Sequence, residues 1–176
     1  MSRLIGNTTT TVDAVSDVSE WFVGEGEHHE ASRDHFRDAA GMVMGRPTYE
    51  GLAAYWTAET GPWADVINPM PKYVASRTLS GSLDWNATLI EGDVTEGVSR
   101  LKEELDGDLF LIGCGELALH LAGSGLIDEY WLWLHPALWG TGTRAFEGAG
   151  HTRLRLLESR SFDSGVTLLR YEPRPD

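Results

Sequence analysis

Along this chain, apolar runs of strand length alternate with stretches whose apolar residues recur every three or four positions, the pattern of an α/β fold. Residues 4–13, LIGNTTTTVD, are rich in β-branched side chains and predict a first strand. Gly24 and Gly26 break the chain before a helix predicted over 29–40, on which Phe36, Ala39 and Ala40 face a core. GMVMG, 41–45, predicts a short buried strand, and Pro47 suits the first turn of a helix over 47–56. Further on, 72–76 and 87–92 predict strands, 94–105 an amphipathic helix, 108–113 a buried strand and 116–126 a helix. DEYWLWLHPALW, 128–139, is apolar at both parities and predicts a strand covered on both faces. Within 154–173, two extended runs flank Asp163-Ser164-Gly165, a hairpin signal. The expected fold is therefore α/β: a mixed, mainly parallel central sheet with flanking helices and a C-terminal antiparallel hairpin.

With 176 residues, 41% of them hydrophobic, the chain fits one domain spanning 1–176. Its net charge of -13 opposes contact with nucleic acid or anionic lipid, and no apolar run approaches the length of a membrane span. Cys114 is the only cysteine, so no internal disulfide is available; with no secretory signal at the N-terminus, a cytoplasmic protein is expected. What the composition leaves open is a small-molecule substrate, and an anionic ligand where basic residues are concentrated.

Three strand-to-helix junctions offer such concentration. In open α/β sheets, ligands settle beyond the carboxyl ends of strands, where helix N-termini present free N–H groups. Gly45-Arg46-Pro47-Thr48 combines backbone access, a guanidinium and a hydroxyl; Ser76-Arg77-Thr78 follows KYVA; Gly113-Cys114-Gly115 follows DLFLI and precedes a helix. Each is weak alone, because a glycine pair after a strand is often only tight packing and an arginine at a helix start is often solvated. On one sheet, together, they suit a ligand with several phosphates, such as a dinucleotide.

MVMGRPTYEGL, PKYVASRTL, LFLIGCGELALHLAGSGLIDEYWLWLHPALWGTG and SGVTLLRY, in this order and at these intervals, resemble the dihydrofolate-reductase-like proteins related to the reductase domain of the bifunctional riboflavin-biosynthesis enzyme. The resemblance implies NADPH lying across the strand ends. It implies phosphate binding by Gly45, Arg46 and Thr48, and a grip on the adenosine 2′-phosphate by Ser76 and Arg77. It also implies a turn over the pyrophosphate made by Gly113, Cys114, Gly115, Glu116 and Leu117, with Thr8, Thr9 and Ile112 near the nicotinamide. The chain departs from the pattern in two places: Val12-Asp13-Ala14 stands where the family has Leu-Asp-Gly, and Gly113 stands where the riboflavin reductases carry an acid.

No single proton donor stands out. Reducing a C=N bond needs a proton as well as a hydride, and the candidates are Asp13 together with Glu27, His29 and Glu30 in the stretch after Trp21, although a solvated loop and helix start explain that stretch equally simply. His28, His29 and His35 lack a metal-binding spacing, and no metal is expected. Trp131 and Trp133 share one strand face, while Tyr130, Leu132 and Leu134 take the other. Core burial is one reading of that face; a homodimer through it is the other, suggested by the enrichment of aromatics at interfaces and favoured by what the family resemblance implies. The expected function is an NADPH-dependent reductase of a small heterocyclic carbonyl or imine compound; a pterin or dihydrofolate reductase and a non-catalytic nucleotide-binding protein are the alternatives.

Overall fold

The computed structural model describes residues 2–174. In chain order these form β1 (Leu4–Thr11), α1 (Glu27–Arg37), β2 (Gly41–Gly45), α2 (Arg46–Trp56), α3 (Ala64–Ile67), β3 (Lys72–Ala75), β4 (Ala87–Leu89), α4 (Val94–Glu104), β5 (Leu109–Ile112), α5 (Glu116–Gly123), β6 (Glu129–His135), β7 (Leu154–Ser161) and β8 (Thr167–Pro173). One sheet contains all the strands in the order β4-β3-β2-β5-β1-β6-β8-β7. Pairing is parallel from β4 to β6, and β8 runs antiparallel to both β6 and β7. The α/β sheet and its C-terminal hairpin are thus as expected.

Why the central strands read as continuous apolar runs is plain from the packing. Neighbouring residues of one strand enter opposite cores: Ile5, Met42 and Phe110 join Phe36 of α1 and Tyr49 of α2, while Leu4, Val43 and Leu109 join Val98 of α4 and Leu121 of α5. Both faces of these strands are therefore under helices, and their carboxyl ends are left for the site.

Beyond shifts in element bounds, such as α1 ending at Arg37 and β6 at His135, one element and one face differ from expectation. The helix α3 is too short to produce a periodic signal. Lys72, which has no solvent exposure, terminates it by donating from Nζ to the carbonyls of Ile67 (2.6 Å) and Asn68 (2.8 Å). Desolvation holds the pKa of this ammonium down to about 8, and the Trp85 ring lies 4.1 Å from it.

The second correction concerns Trp131 and Trp133. They are 5% and 3% exposed in a single chain, so the tryptophan face is core and is not available to a partner. Trp131 packs edge-on to Phe110 with centroids 5.4 Å apart, and its Nε1–H donates to Glu129 at 2.8 Å. Glu129 is itself buried and accepts from Arg170 Nη2 at 3.0 Å and from Arg3. It is the opposite face of β6, with Leu132 and Leu134 only half-buried, that lacks full cover. Removing a tryptophan from this core leaves a large void. Trp131→Ala is expected to lower unfolding stability by about 3–5 kcal/mol, read from denaturant titration, without changing the association state.

Candidate functional site: a cleft at the strand ends

The ends of β2, β3 and β5 border a cleft of about 930 Å³, a volume within the range of small-molecule sites. Two helices start in it without a side-chain cap: α2 directly after Gly45 and α5 directly after Gly115. No side chain caps their first-turn N–H groups, of which Pro47 in α2 supplies none, and the partial positive charge at each terminus favours an anion. The third helix that starts there is different. Asp93 caps α4, its Oδ1 accepting from the N–H groups of Thr95 (2.9 Å) and Glu96 (3.1 Å).

Gly113 makes the close approach of β5 to α2 possible. Its φ is +96°, and a Cβ placed there would sit 3.0 Å from Thr48 Oγ1. Only glycine fits both the conformation and the space. Arg46 and Arg77 line the cleft from α2 and from the turn after β3. That turn is locked by Ser76, whose Oγ accepts from the N–H groups of Thr78 (3.1 Å) and Leu79 (3.0 Å).

Most of the residues expected at a cofactor site line this cleft: Gly45, Arg46, Thr48, Ser76, Arg77, Ile112, Gly113, Gly115, Glu116 and Leu117. Thr8, Thr9 and Cys114 do not. Thr8 is buried in the sheet, Thr9 is half-buried beside Trp133, and Cys114 shares a hydrogen bond with Ser16 Oγ at 3.1 Å. Residues that the sequence reading missed complete the wall, among them Ile90, Gly92, Asp93, Val94 and His120. His120 Nε2 is 2.9 Å from Thr95 Oγ1. The signal for the missed segment was present: Asp93 followed three residues later by Glu96 is a helix-start pattern, and it marks a fourth strand-to-helix junction.

The proton-donor candidates stand outside the cleft lining. Asp13 accepts from Thr11 Oγ1 at 2.6 Å, from Gly140 N–H at 2.8 Å and from Trp139 N–H at 3.1 Å. These bonds, the one from Thr11 first, hold its carboxyl well below the usual carboxylate range, so it ties two loops together as an anion. Glu27 is exposed and paired with Arg160, and Glu30 is exposed. His29 Nδ1 accepts from Trp63 Nε1–H at 3.2 Å, and burial, then the neighbouring His28, pushes its pKa down. Among the described residues, no group of three or more His, Cys, Asp or Glu side chains is placed to hold a metal ion, and no helix is long and apolar enough to cross a membrane.

The loop before α1 is fixed by two histidines that flank Val23. Val23 N–H donates to His135 Nδ1 at 3.1 Å, and His28 Nε2 lies 2.9 Å from the Val23 carbonyl, to which it donates. His28 Nδ1 then accepts from the Ser164 hydroxyl at 2.9 Å.

The profile of the RibD C-terminal domain matches residues 3–168, nearly the whole chain. The chain belongs to this family. The uncharacterized protein YyaP of Bacillus subtilis is 32% identical over 136 residues, covering 74% of this chain and 72% of the relative. YwjB, also uncharacterized and from Bacillus subtilis, is 26% identical over 157 residues, covering 89% and 86%. The fold matches that of a putative riboflavin biosynthesis protein from Shewanella sp. PV-4, with a TM-score of 0.77 at 18% identity over 99% of this chain and 100% of that one. It also matches a diaminohydroxyphosphoribosylaminopyrimidine deaminase/5-amino-6-(5-phosphoribosylamino)uracil reductase from Thermotoga maritima, with a TM-score of 0.70 at 12% identity, where it spans 98% of this chain and 57% of the larger protein.

Within this RibD C-terminal domain, Ala14 has a glycine's conformation without being one. Its φ is +68°, which burdens a residue with a Cβ by roughly 1–2 kcal/mol. The turn is kept by Ala14 N–H donating to the Thr11 carbonyl at 3.0 Å and by Arg144 donating to the Asp13 carbonyl.

The histidine pair around Val23 generates a pH dependence. Burial first, then His28, holds the pKa of His135 down to about 4, against 6.5 in an unfolded chain. Protonation must occur at Nδ1, where it displaces the Val23 N–H. Between those two values the unfolded chain binds the extra proton, so the contribution of His135 is complete above pH 6.5 and is lost as pH falls toward 4. Stability measured by denaturant titration is expected to decline over this window, and His135→Phe to flatten the decline; an unchanged slope in that variant would contradict the assignment.

Proposed function

We propose that the chain is an NADPH-dependent reductase acting on a small, heterocyclic carbonyl or imine compound, in a cytoplasmic setting. The observation that carries this reading is the meeting of two uncapped helix N-termini and two arginines at one set of strand ends. A dinucleotide needs such a surface, because its phosphates must be matched by donors and positive charge. In this reading Gly45, Arg46 and Thr48 hold a phosphate, Ser76 and Arg77 the 2′-phosphate, and Gly113, Gly115 and Leu117 flank the pyrophosphate. Gly113, which lines the cleft, is held against Thr48, so the turn after β5 and the first turn of α2 present one continuous wall to a ligand. The bound cofactor supplies the hydride; the chain binds it, orients it and excludes water. Membership of the RibD C-terminal domain family supports reductase chemistry over a non-catalytic nucleotide-binding role. The held-ionised Asp13 speaks against its acting as an acid in a pterin or dihydrofolate reductase.

Arg46→Ala is expected to weaken NADPH binding on the order of 10- to 100-fold while leaving the melting temperature unchanged, since a hydrogen bond to a charged group contributes roughly 1.5–3 kcal/mol. Titration of the purified protein with NADPH, followed by a panel of cyclic carbonyl and imine compounds monitored by cofactor absorbance, tests both parts of the reading. Unaltered affinity in a folded Arg46→Ala variant would remove the arginine from the site, and NADPH binding without oxidation of NADPH by any compound in the panel would favour the non-catalytic role.

A homodimer belongs to the same reading, through the face opposite the tryptophans. Leu156 of β7 pairs with Tyr171 of β8, which pairs with Tyr130 of β6, so these side chains line one face across the sheet edge. Leu156 is 52% exposed, and Leu154 and Leu157 are 39% and 40% exposed on the same outermost strand. On a chain of net charge -13, an uncharged surface is where two copies approach with least repulsion. Sedimentation at micromolar concentration is expected to give a dimer that Leu156→Asp converts to a folded monomer; a monomeric wild type would contradict it.

A further inference from the structure

In the sequence, Ser76-Arg77-Thr78 has no carboxylate after it until Asp84. The fold supplies one from elsewhere. Glu116, the first residue of α5, places Oε2 4.0 Å from Arg77 Nη2. Their side chains are 96% and 94% exposed, so the pair braces nothing in the core and its two members are free to exchange partners. Glu116 also stands at the uncapped N-terminus of its helix, on the wall that a phosphate would approach. The other arginine of the cleft has a similar neighbour, with Arg46 Nη1 3.8 Å from Glu50 Oε1. Each arginine of the cleft thus has a carboxylate beside it, Glu116 within the lining and Glu50 outside it.

We propose that Glu116 is a specificity-determining residue, which sets the balance between 2′-phosphorylated and unphosphorylated dinucleotides by competing for Arg77. This rests on the dinucleotide reading above. A 2′-phosphate must take Arg77 from Glu116 and then lies beside its negative charge, whereas a ribose 2′-hydroxyl can donate to the same carboxylate, the contact typical of NAD sites. Arg77 alone favours the phosphate and Glu116 opposes it. The preference for NADPH is the difference between the two.

Glu116→Gln keeps the shape of the side chain and removes its charge. Affinities of wild type and variant for NADPH, NADH and adenosine 2′,5′-bisphosphate are measured side by side at low salt, with melting temperature as the control for folding. The variant is expected to bind NADPH and the bisphosphate about fivefold more tightly, the effect of one unit charge at this distance in water, and to bind NADH no better than wild type. Equal NADPH affinity in wild type and variant would overturn the proposal. So would equal tightening of NADPH and NADH, which would place Glu116 against the shared pyrophosphate. A wild type that binds neither dinucleotide would instead overturn the dinucleotide reading itself and take this selector role with it.

Discussion

Parallel strands that end at one edge bring the N-termini of α2, α4 and α5 together, and the character of the cleft depends on which of those termini the chain leaves unsatisfied. Asp93 closes α4 against its own amides, while Gly45 and Gly115 leave α2 and α5 open. The glycines do this by offering no side-chain oxygen to the first turn, so an external anion meets less competition there than at a capped helix. The apolar cores on both sheet faces hold this arrangement rigid, since β2 and β5 are pinned by Met42, Val43, Phe110 and Leu109 in opposite directions.

Charge in the cleft is nearly self-balanced. Arg46 and Arg77 each have a glutamate within about an ion-pair distance, on a chain whose surface is strongly acidic. A site of this kind does not attract every anion at long range; it rewards a ligand that reaches both arginines and both helix ends at once. On the proposed dinucleotide reading, selectivity comes from the spacing of the ligand's phosphates more than from field strength.

Much of this was legible in the sequence, because the signals are local. GMVMG before Arg46-Pro47-Thr48, and DLFLI before Gly113-Cys114-Gly115, each announce a strand, a tight backbone and a helix start within a dozen residues. What was not legible depends on residues distant in the chain. Glu116 meets Arg77 only in the folded sheet, and the direction of Trp131 and Trp133 was misjudged because an apolar strand with two good faces does not say which one the helices cover. Cys114 sits between two glycines that line the cleft, but its side chain turns toward Ser16, in the loop after β1. The four-residue α3 and its buried Lys72 gave no periodic sign at all, since one helical turn is shorter than the pattern it would need to show.

The central claim is the location of dinucleotide binding, and amide hydrogen exchange of the protein with and without NADPH tests it most directly. The account predicts added protection at residues 45–48, 76–79 and 113–117, the cleft-lining junctions, with little change in the loop held by His28 and His135 around Val23. Protection confined to other segments, or absent at saturating NADPH, would contradict it.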